Sequence, residues 1–134
     1  MPMVEGAIKR LEMLKTQPER REKLWKIAHA LQSGLKADGM NIGITNSMVT
    51  PVYLSGSVAE GMQVVFDLRE NYHLFCSIVV YPVIPKGQLL LRLIPTAEHT
   101  MEDVEYTIKA FKNVAEKLAN GEYNKELLVD ASKL

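Results

Sequence analysis

The chain has 134 residues, of which 47% are apolar, and its 16 Lys and Arg residues balance its 16 Asp and Glu residues. A chain of this length can bury a sizeable core without help from a metal ion or disulfides, and its single cysteine excludes an intramolecular disulfide. The zero net charge, without a basic cluster, argues against nucleic-acid binding, because phosphate recognition depends on clustered Lys and Arg.

The apolar runs are short, and the N-terminal residues carry charges at several positions. A membrane span needs about 20 consecutive apolar residues, and a signal peptide needs an uninterrupted apolar stretch. We therefore expect neither a membrane span nor export, and a cytoplasmic location.

The first 38 residues have the apolar spacing of amphipathic helices on either side of Pro18. This spacing predicts two helices or one sharply kinked helix. Thr16 and Glu19 have the spacing of a capping box, which predicts a capped restart after the break. Gly39 should end the second helix, because glycine readily adopts the left-handed conformation found at helix C-termini.

Short β-branched and aromatic segments follow. Residues 41–44 and 49–54 predict a hairpin or an irregular pair of strands. Pro51 limits the second segment to a sheet edge or to the start of a strand, because proline cannot donate a ladder hydrogen bond.

A third helix is predicted from a capping box formed by Ser57 and Glu60, and it should continue to about Asn71. Its apolar residues are expected to face the core. These expected inward residues are Val58, Met62, Val65 and Phe66.

Two more strands and a helix complete the predicted elements. Residues 74–81 and 89–94 are apolar runs typical of strands, and the prolines between them predict an ordered loop rather than a tight hairpin. The last helix should begin at Thr100, before an acidic first turn, and end at residues 120–121. These elements predict an α+β fold class, with a short, mostly antiparallel sheet covered by helices on one face.

The predicted organisation has three parts. Residues 1–38 are linking helices, residues 39–121 form the α+β domain, and residues 122–134 are a C-terminal tail. The tail contains an apolar patch at 127–129 that either docks or remains loose.

Arg92 is the most unusual residue of the sequence. Strand alternation places Leu90, Arg92 and Ile94 on one face of an otherwise apolar strand. Burial of an unpaired charge costs on the order of several kcal/mol, so Arg92 must pair with a carboxylate or face an anion or a cleft. Its planar fork suits a carboxylate. The sequence alone leaves open a structural salt bridge, exposure on an edge strand, and ligand binding.

The other candidates for chemistry are weaker. Lys86 would be a reactive amine only in a desolvating pocket, and a solvated loop lysine is favoured. His29, His73 and His99 lack the spacing of a metal site, and we expect each to be solvated or locally bonded, with His99 in the turn that begins the last helix. Cys76 lies in a predicted strand, where burial should make it inert. No catalytic residue and no metal site is predicted.

Two longer strings resemble a known family. Residues 81–87 (YPVIPKG) and 91–104 (LRLIPTAEHTMEDV) are similar to the C-terminal end of the α-oxoamine synthases, and shorter matches occur at 11–13, 21–25 and 50–52. The resemblance extends from residue 2 to about 118 and is greatest to bacterial members similar to serine palmitoyltransferase. It implies the small C-terminal domain of the aspartate aminotransferase-like architecture, which is fold type I among enzymes that use pyridoxal phosphate (PLP).

The resemblance also implies a function. Enzymes of this family use PLP to condense an amino acid with an acyl-CoA, giving an α-amino ketone, and the full enzymes are expected to be homodimers. By the same resemblance, Arg92 is the residue that binds the carboxylate of the amino acid. Val83 lies in the loop at the substrate entrance, where 8-amino-7-oxononanoate synthases have a threonine that contacts substrate.

The family's Schiff-base lysine and other PLP-binding groups belong to a large domain that is absent from this sequence. The chain is therefore expected to be the small domain of such an enzyme and to be inactive alone. A severed domain should leave an uncovered apolar face at Met3, Val4, Ile8 and Leu11. The alternatives are a stand-alone module that binds carboxylates or amino acids, and a dimerisation domain.

Overall fold

A computed structural model describes residues 2–124. Its elements are α1 (Pro2–Thr16), α2 (Pro18–Ala37), β1 (Thr50–Ser55), α3 (Val58–Tyr72), β2 (Ser77–Val79), β3 (Gln88–Leu93), α4 (Met101–Ala119) and a 3₁₀ turn (Glu122–Asn124). This element order confirms the predicted α+β fold class. Among residues 2–124, no helix combines the length and the apolar character needed to cross a bilayer.

The three strands form one antiparallel sheet in the order β1-β3-β2. The central strand, β3, pairs Leu93 with Thr50 of β1 and Arg92 with Ser77 of β2. Because β1 is an edge strand, it tolerates Pro51 at its second position, as predicted.

One face of the sheet is covered by helices and the other is open. On β3, Leu89, Leu91 and Leu93 are buried in the core, whereas Arg92 is exposed. The core also receives side chains from α2, α3 and α4, among them Leu35, Leu68, Phe111 and Val114. The predicted division of β3 into an apolar face and a face that carries Arg92 is confirmed.

The break between α1 and α2 is confirmed, but the predicted cap is wrong. The N-cap of α2 is Gln17, which makes no side-chain cap hydrogen bond, and Pro18 occupies the first turn. The Thr16 hydroxyl instead donates to the carbonyl of Glu12, at 2.8 Å, inside α1. Proline alone therefore accounts for the restart, because its fixed φ suits the first helical position. Gly39 follows the end of α2 with a φ of 79°, as predicted.

The predicted strand at residues 41–44 is also wrong. Only an isolated bridge between Asn41 and Tyr53 is present. The Asn41 side-chain oxygen accepts a hydrogen bond from the backbone N–H of Gly43, at 3.0 Å. This local turn competes with a β-ladder for the backbone donors.

The second strand is shorter than predicted and spans Ser77–Val79 instead of residues 74–81. Helix α3 ends at Tyr72, and the residue after it, His73, caps the helix with a left-handed φ of 55°. The N–H of Leu74 then donates to the carbonyl of Leu68 at 2.9 Å. This hydrogen bond pairs a backbone carbonyl that would otherwise lack a partner at the C-terminus of α3. Leu74 therefore belongs to the end of the helix and not to the strand, which begins at Ser77.

The predicted inward face of α3 requires a correction. Val58, Met62 and Phe66 are 51%, 55% and 66% exposed, and only Val65 of the predicted set packs against the core. The buried residues of the helix are Gly61, Val64, Asp67 and Leu68. Gly61 explains this orientation, because a Cβ atom there would lie only 2.6 Å from Ile78 and 2.8 Å from Leu89. Glycine allows the helix to approach the sheet closely on that side.

Both later helices begin with capping boxes, of which the one at Ser57 and Glu60 was predicted; for α4 the prediction was a start at Thr100, which is confirmed. Ser57 Oγ accepts a hydrogen bond from the N–H of Glu60 at 3.2 Å, and the Glu60 carboxylate accepts one from the N–H of Ser57 at 2.6 Å. Thr100 and Asp103 form the equivalent pair at the start of α4. These caps fix where the chain leaves β1 and β3 for the helical layer.

A polar network fastens the beginning of the tail to α3 and α4. The Asp67 carboxylate, 7% exposed, accepts hydrogen bonds from the Tyr123 hydroxyl, from Asn71 Nδ2 at 2.6 Å and from Lys117 Nζ at 2.9 Å. Burial acts to raise the pKa of Asp67, but the three hydrogen bonds outweigh it and hold that pKa below its ordinary value. The predicted apolar patch at 127–129 lies outside the described residues.

We expect Tyr123→Phe to lower the free energy of unfolding by about 1.5–3 kcal/mol, because it removes a hydrogen bond to a buried charged group. Tyr106→Phe is the matched control, since the Tyr106 hydroxyl donates to the Tyr72 carbonyl at 3.1 Å from an exposed position. Its cost should be smaller, about 0.5–1 kcal/mol. Urea denaturation at neutral pH measures both, and equal costs would contradict the importance of the Asp67 network.

The same network predicts a pH dependence. The Asp67 carboxyl has a lower pKa in the folded chain than in the unfolded chain, where it is about 3.9. Its ionised form therefore stabilises the fold at every pH above about 3.9, and this stabilisation is lost as the pH falls through the pKa of the folded chain. The stability difference between Tyr123→Phe and the parent chain should therefore shrink below about pH 4. A difference that stays constant in acid would show that the ionised form of Asp67 is not responsible.

Candidate functional site

Arg92 lies at the centre of the sheet, on its open face. Its Nε donates a hydrogen bond to Ser77 Oγ at 3.0 Å, and Ser77 is its direct partner on β2. None of the ion pairs within residues 2–124 includes Arg92. The structural salt bridge considered for Arg92 is therefore absent from this part of the chain. Exposure on an edge strand is also wrong, because β3 is the central strand.

The surroundings of Arg92 are mostly apolar. The open sheet face is defined here by the side chains that strand alternation places on the uncovered side with Arg92. They are Pro51, Tyr53, Ser55, Ser77, Val79, Gln88, Leu90 and Arg92, with the polar Ser55 and Gln88 at the end of the ladder farthest from Arg92. A single guanidinium on such a surface suits a ligand that carries a carboxylate next to an apolar part.

Val83 lies in the loop that joins β2 to β3. Its N–H donates to the carbonyl of Val80 at 3.0 Å, and its side chain is 77% exposed. The last β2–β3 pair before the loop is Val79 with Leu90, two residues along the ladder from the Ser77–Arg92 pair. The structure thus brings Ser77, rather than Val83, into contact with Arg92.

The histidines have separate local environments. The His99 ring accepts a hydrogen bond from the N–H of Thr96 at 2.8 Å, which confirms its place in the turn before α4. The ring of His29 lies 5.1 Å from that of Trp25, and His73 caps the end of α3. Among the described residues, no group of three His, Cys, Asp or Glu residues could hold a metal ion.

Three lysines have specific partners. The Lys86 ammonium lies 5.0 Å from the centre of the Tyr81 ring, and Lys9 is paired with Glu12 on the surface of α1. Hydrogen bonding to Asp67 raises the pKa of Lys117. Because a lysine must lose its proton to form an imine, this contact disfavours Lys117 as a PLP-binding amine.

Two clefts lie away from Arg92. One, of about 370 Å³, is lined by residues of α2 and α4 and by His73 and His99. The other, of about 460 Å³, lies between α1 and α2 and includes Arg10, Arg20 and Arg21. Arg92 lines neither cleft, so the open sheet face is a separate candidate surface for carboxylate binding.

Curated relatives match most of this chain. A cysteate-C-fatty acyltransferase from Capnocytophaga ochracea is 58% identical over 125 residues, which are 92% of this chain and 30% of the relative. An 8-amino-7-oxononanoate synthase from Exiguobacterium sibiricum is 34% identical over 116 residues, 87% of this chain and 29% of the relative. The chain is homologous to a C-terminal portion of the α-oxoamine synthases.

Solved structures agree with this relationship. A serine palmitoyltransferase from S. paucimobilis, solved with bound PLP and myriocin, has a TM-score of 0.68 and 29% identity, covering 81% of this chain and 27% of that protein. An 8-amino-7-oxononanoate synthase from Francisella tularensis has a TM-score of 0.70 at 15% identity, covering 90% of this chain and 33% of its own, which supports the fold alone. No family model matches the chain. The expected likeness to α-oxoamine synthases and to their fold type I small domain is confirmed.

The chain spans only about 30% of the length of the curated α-oxoamine synthases that it matches. Arg92 stands out in the sequence, whereas Ser77, its hydrogen-bond partner, does not. The strand register of β2 against β3 would have identified Ser77, because directly opposed side chains on one face of a sheet are in contact.

Cys76 is buried, and burial raises the pKa of its thiol to about 11. Since the thiolate is the reactive form, we expect a disulfide reagent at about pH 8 to react at least about 100-fold more slowly with the native chain than with the unfolded chain. Absorbance of the released thiolate measures the rate, and guanidinium-unfolded protein is the control. Equal rates would contradict an inert Cys76.

Proposed function

We propose that this chain is the C-terminal domain of a PLP-dependent acyltransferase that condenses an amino acid with an acyl-CoA to an α-amino ketone. Arg92 binds the carboxylate of the amino acid. The observation that carries this proposal is the position of Arg92 on the open sheet face, where the one hydrogen bond described for its side chain is to Ser77. Homology to cysteate-C-fatty acyltransferase and 8-amino-7-oxononanoate synthase supports the reaction class.

The chemistry of Arg92 fits this role. Its guanidinium has five N–H donors, and the hydrogen bond to Ser77 uses only the one on Nε. The two terminal nitrogens can bind a carboxylate through two parallel hydrogen bonds. When a covering domain excludes water from the apolar sheet face, the attraction between guanidinium and carboxylate becomes stronger, because the local dielectric constant falls.

Exposed apolar surface supports the proposal of a larger enzyme. Met3, Val4, Ile8, Leu11 and Leu14 of α1 are between 53% and 89% exposed. Val58, Met62 and Phe66 of α3 form another exposed stripe. Such surfaces mark interaction sites in soluble proteins. The α1 stripe disfavours the stand-alone binding module, because a domain that works without a covering partner should have a polar N-terminal helix.

We place the cofactor in the part of the enzyme that this chain does not contain. PLP supplies an electron sink that stabilises the carbanion of the amino acid. The resemblance to the α-oxoamine synthases assigns the PLP-binding lysine to the large domain, and we propose the same here. Hydrogen bonding to Asp67 raises the pKa of Lys117, which disfavours Lys117 for that role. The isolated chain is therefore proposed to be inactive, and the whole enzyme to be a cytoplasmic homodimer.

The relative with 58% identity suggests the substrate class. Its name specifies cysteate and a fatty acyl group. We propose cysteate and a fatty acyl-CoA as the substrates here, with release of CoA and carbon dioxide and formation of a carbon–carbon bond. In this reaction, Arg92 orients the carboxylate that is lost, and Val83 lies at the substrate entrance.

A fusion enzyme tests the role of Arg92. In it, this chain replaces the matching C-terminal portion of the Capnocytophaga cysteate-C-fatty acyltransferase. Arg92→Lys should raise the KM for cysteate and lower kcat/KM by about 10–100-fold, because lysine keeps the charge but loses the two-pronged hydrogen bonding. Initial rates of CoA release, measured at varied cysteate and saturating acyl-CoA, give both constants.

Two controls accompany this measurement. The KM for acyl-CoA should not change, and the isolated chain mixed with PLP and both substrates should release no CoA. An unchanged KM for cysteate in Arg92→Lys would remove Arg92 from the substrate site. CoA release by the isolated chain would overturn the proposed division between the domains.

The exposed stripe on α1 gives a separate prediction. The isolated chain should self-associate at high concentration, and Leu11→Glu should reduce this association because it places a charge on the apolar stripe. Thr16→Glu, which adds the same charge at an exposed position on the opposite face of α1, is the matched control. Light scattering over a dilution series measures both, and a monomeric parent chain at every concentration would contradict the prediction.

A further inference from the structure

Ser77 and Arg92 form an isolated pair on the open sheet face. They are directly opposite each other across the β2–β3 ladder, and Arg92 Nε donates to Ser77 Oγ at 3.0 Å. Ser77 is half-buried and Arg92 is exposed. Within residues 2–124, this is the one side-chain hydrogen bond described for Arg92.

We infer that Ser77 is a positioning residue for substrate binding: it holds the Arg92 guanidinium so that the two terminal nitrogens form the carboxylate-binding edge. This inference rests on the proposed function of Arg92. It adds a second residue to the site and specifies which edge of the guanidinium meets the substrate.

The geometry explains why one hydrogen bond is sufficient to orient the group. The guanidinium is planar, and a carboxylate can approach it along the edge that includes Nε or along the edge formed by the two terminal nitrogens. Ser77 occupies the Nε donor, so the second edge is the one left for a bidentate ligand. Because both residues extend from paired strands, the backbone keeps their Cβ atoms close together, within reach of this hydrogen bond.

A serine is well suited to this place. Its side chain is short, and its hydroxyl accepts the Nε hydrogen bond without neutralising the positive charge of Arg92. A carboxylate at this position would form a salt bridge and compete with the substrate. Ser77 therefore restricts the many rotamers of an exposed arginine and leaves its charge available.

The pair can be tested directly in the full chain by NMR. The Nε–H signal of Arg92 is assigned by its disappearance in Arg92→Lys. In Ser77→Ala, exchange of this hydrogen with water should accelerate by about tenfold, because its acceptor is lost, whereas Ser77→Thr should keep it protected. Ser55→Ala is the matched control, since Ser55 lies on β1 opposite Gln88, away from Arg92. Equal exchange in the parent chain and Ser77→Ala would overturn the inference.

Kinetics of the fusion enzyme separate positioning from a merely structural role. Ser77→Ala should raise the KM for cysteate by about 3–10-fold, with little change in kcat or in the KM for acyl-CoA. Ser77→Thr should restore the parent KM. Ser77→Ala should add nothing further in an Arg92→Lys background, because Ser77 acts through the guanidinium. An equal rise in both KM values, or a full additional effect in that background, would refute the positioning role.

The outcomes distinguish the two proposals. If Arg92→Lys leaves the KM for cysteate unchanged, the proposed function of Arg92 fails, whatever Ser77 does. If Arg92→Lys raises that KM while Ser77→Ala leaves it unchanged, only the positioning role of Ser77 fails.

Discussion

The structure depends on the alternation of side chains along β3. This strand is central, and its odd-numbered leucines fill the core while Arg92 stays on the opposite face. A shift of one residue in register would bury the guanidinium and expose the leucines, which would be very unfavourable. The same alternation therefore stabilises the helical layer and keeps one charged group on an uncovered surface.

Local signals in the sequence were sufficient for most of the helix boundaries. The break at Pro18 and the capping box of Ser57 with Glu60 depend on neighbouring residues, and both are present. The inward face of α3 could not be found in this way, because it is set by distant contacts. Gly61 approaches the sheet, and Asp67 bonds to Tyr123, more than fifty residues later in the chain.

The candidate site likewise combines a feature that is visible in the sequence with features that depend on distant contacts. A charge within an apolar strand was visible in the sequence, but the choice between an ion pair and a free guanidinium depends on what covers the strand. Ser77 does not stand out in the sequence, because no residue near it indicates its hydrogen-bond partner. Its role becomes visible only when β2 is aligned with β3. Local turn formation at Asn41 likewise removed a strand that side-chain pattern alone had suggested.

The attachment of Tyr123 to Asp67 has a consequence for shortening the protein by proteolysis or by gene truncation. A cut after residue 124 leaves in place the three donors to the Asp67 carboxylate that lie within residues 2–124. A cut only two residues earlier removes the tyrosine and opens a buried carboxylate to solvent on one side. The boundary of a stable core fragment should therefore be sharp, and the hydroxyl of a single tyrosine should define it.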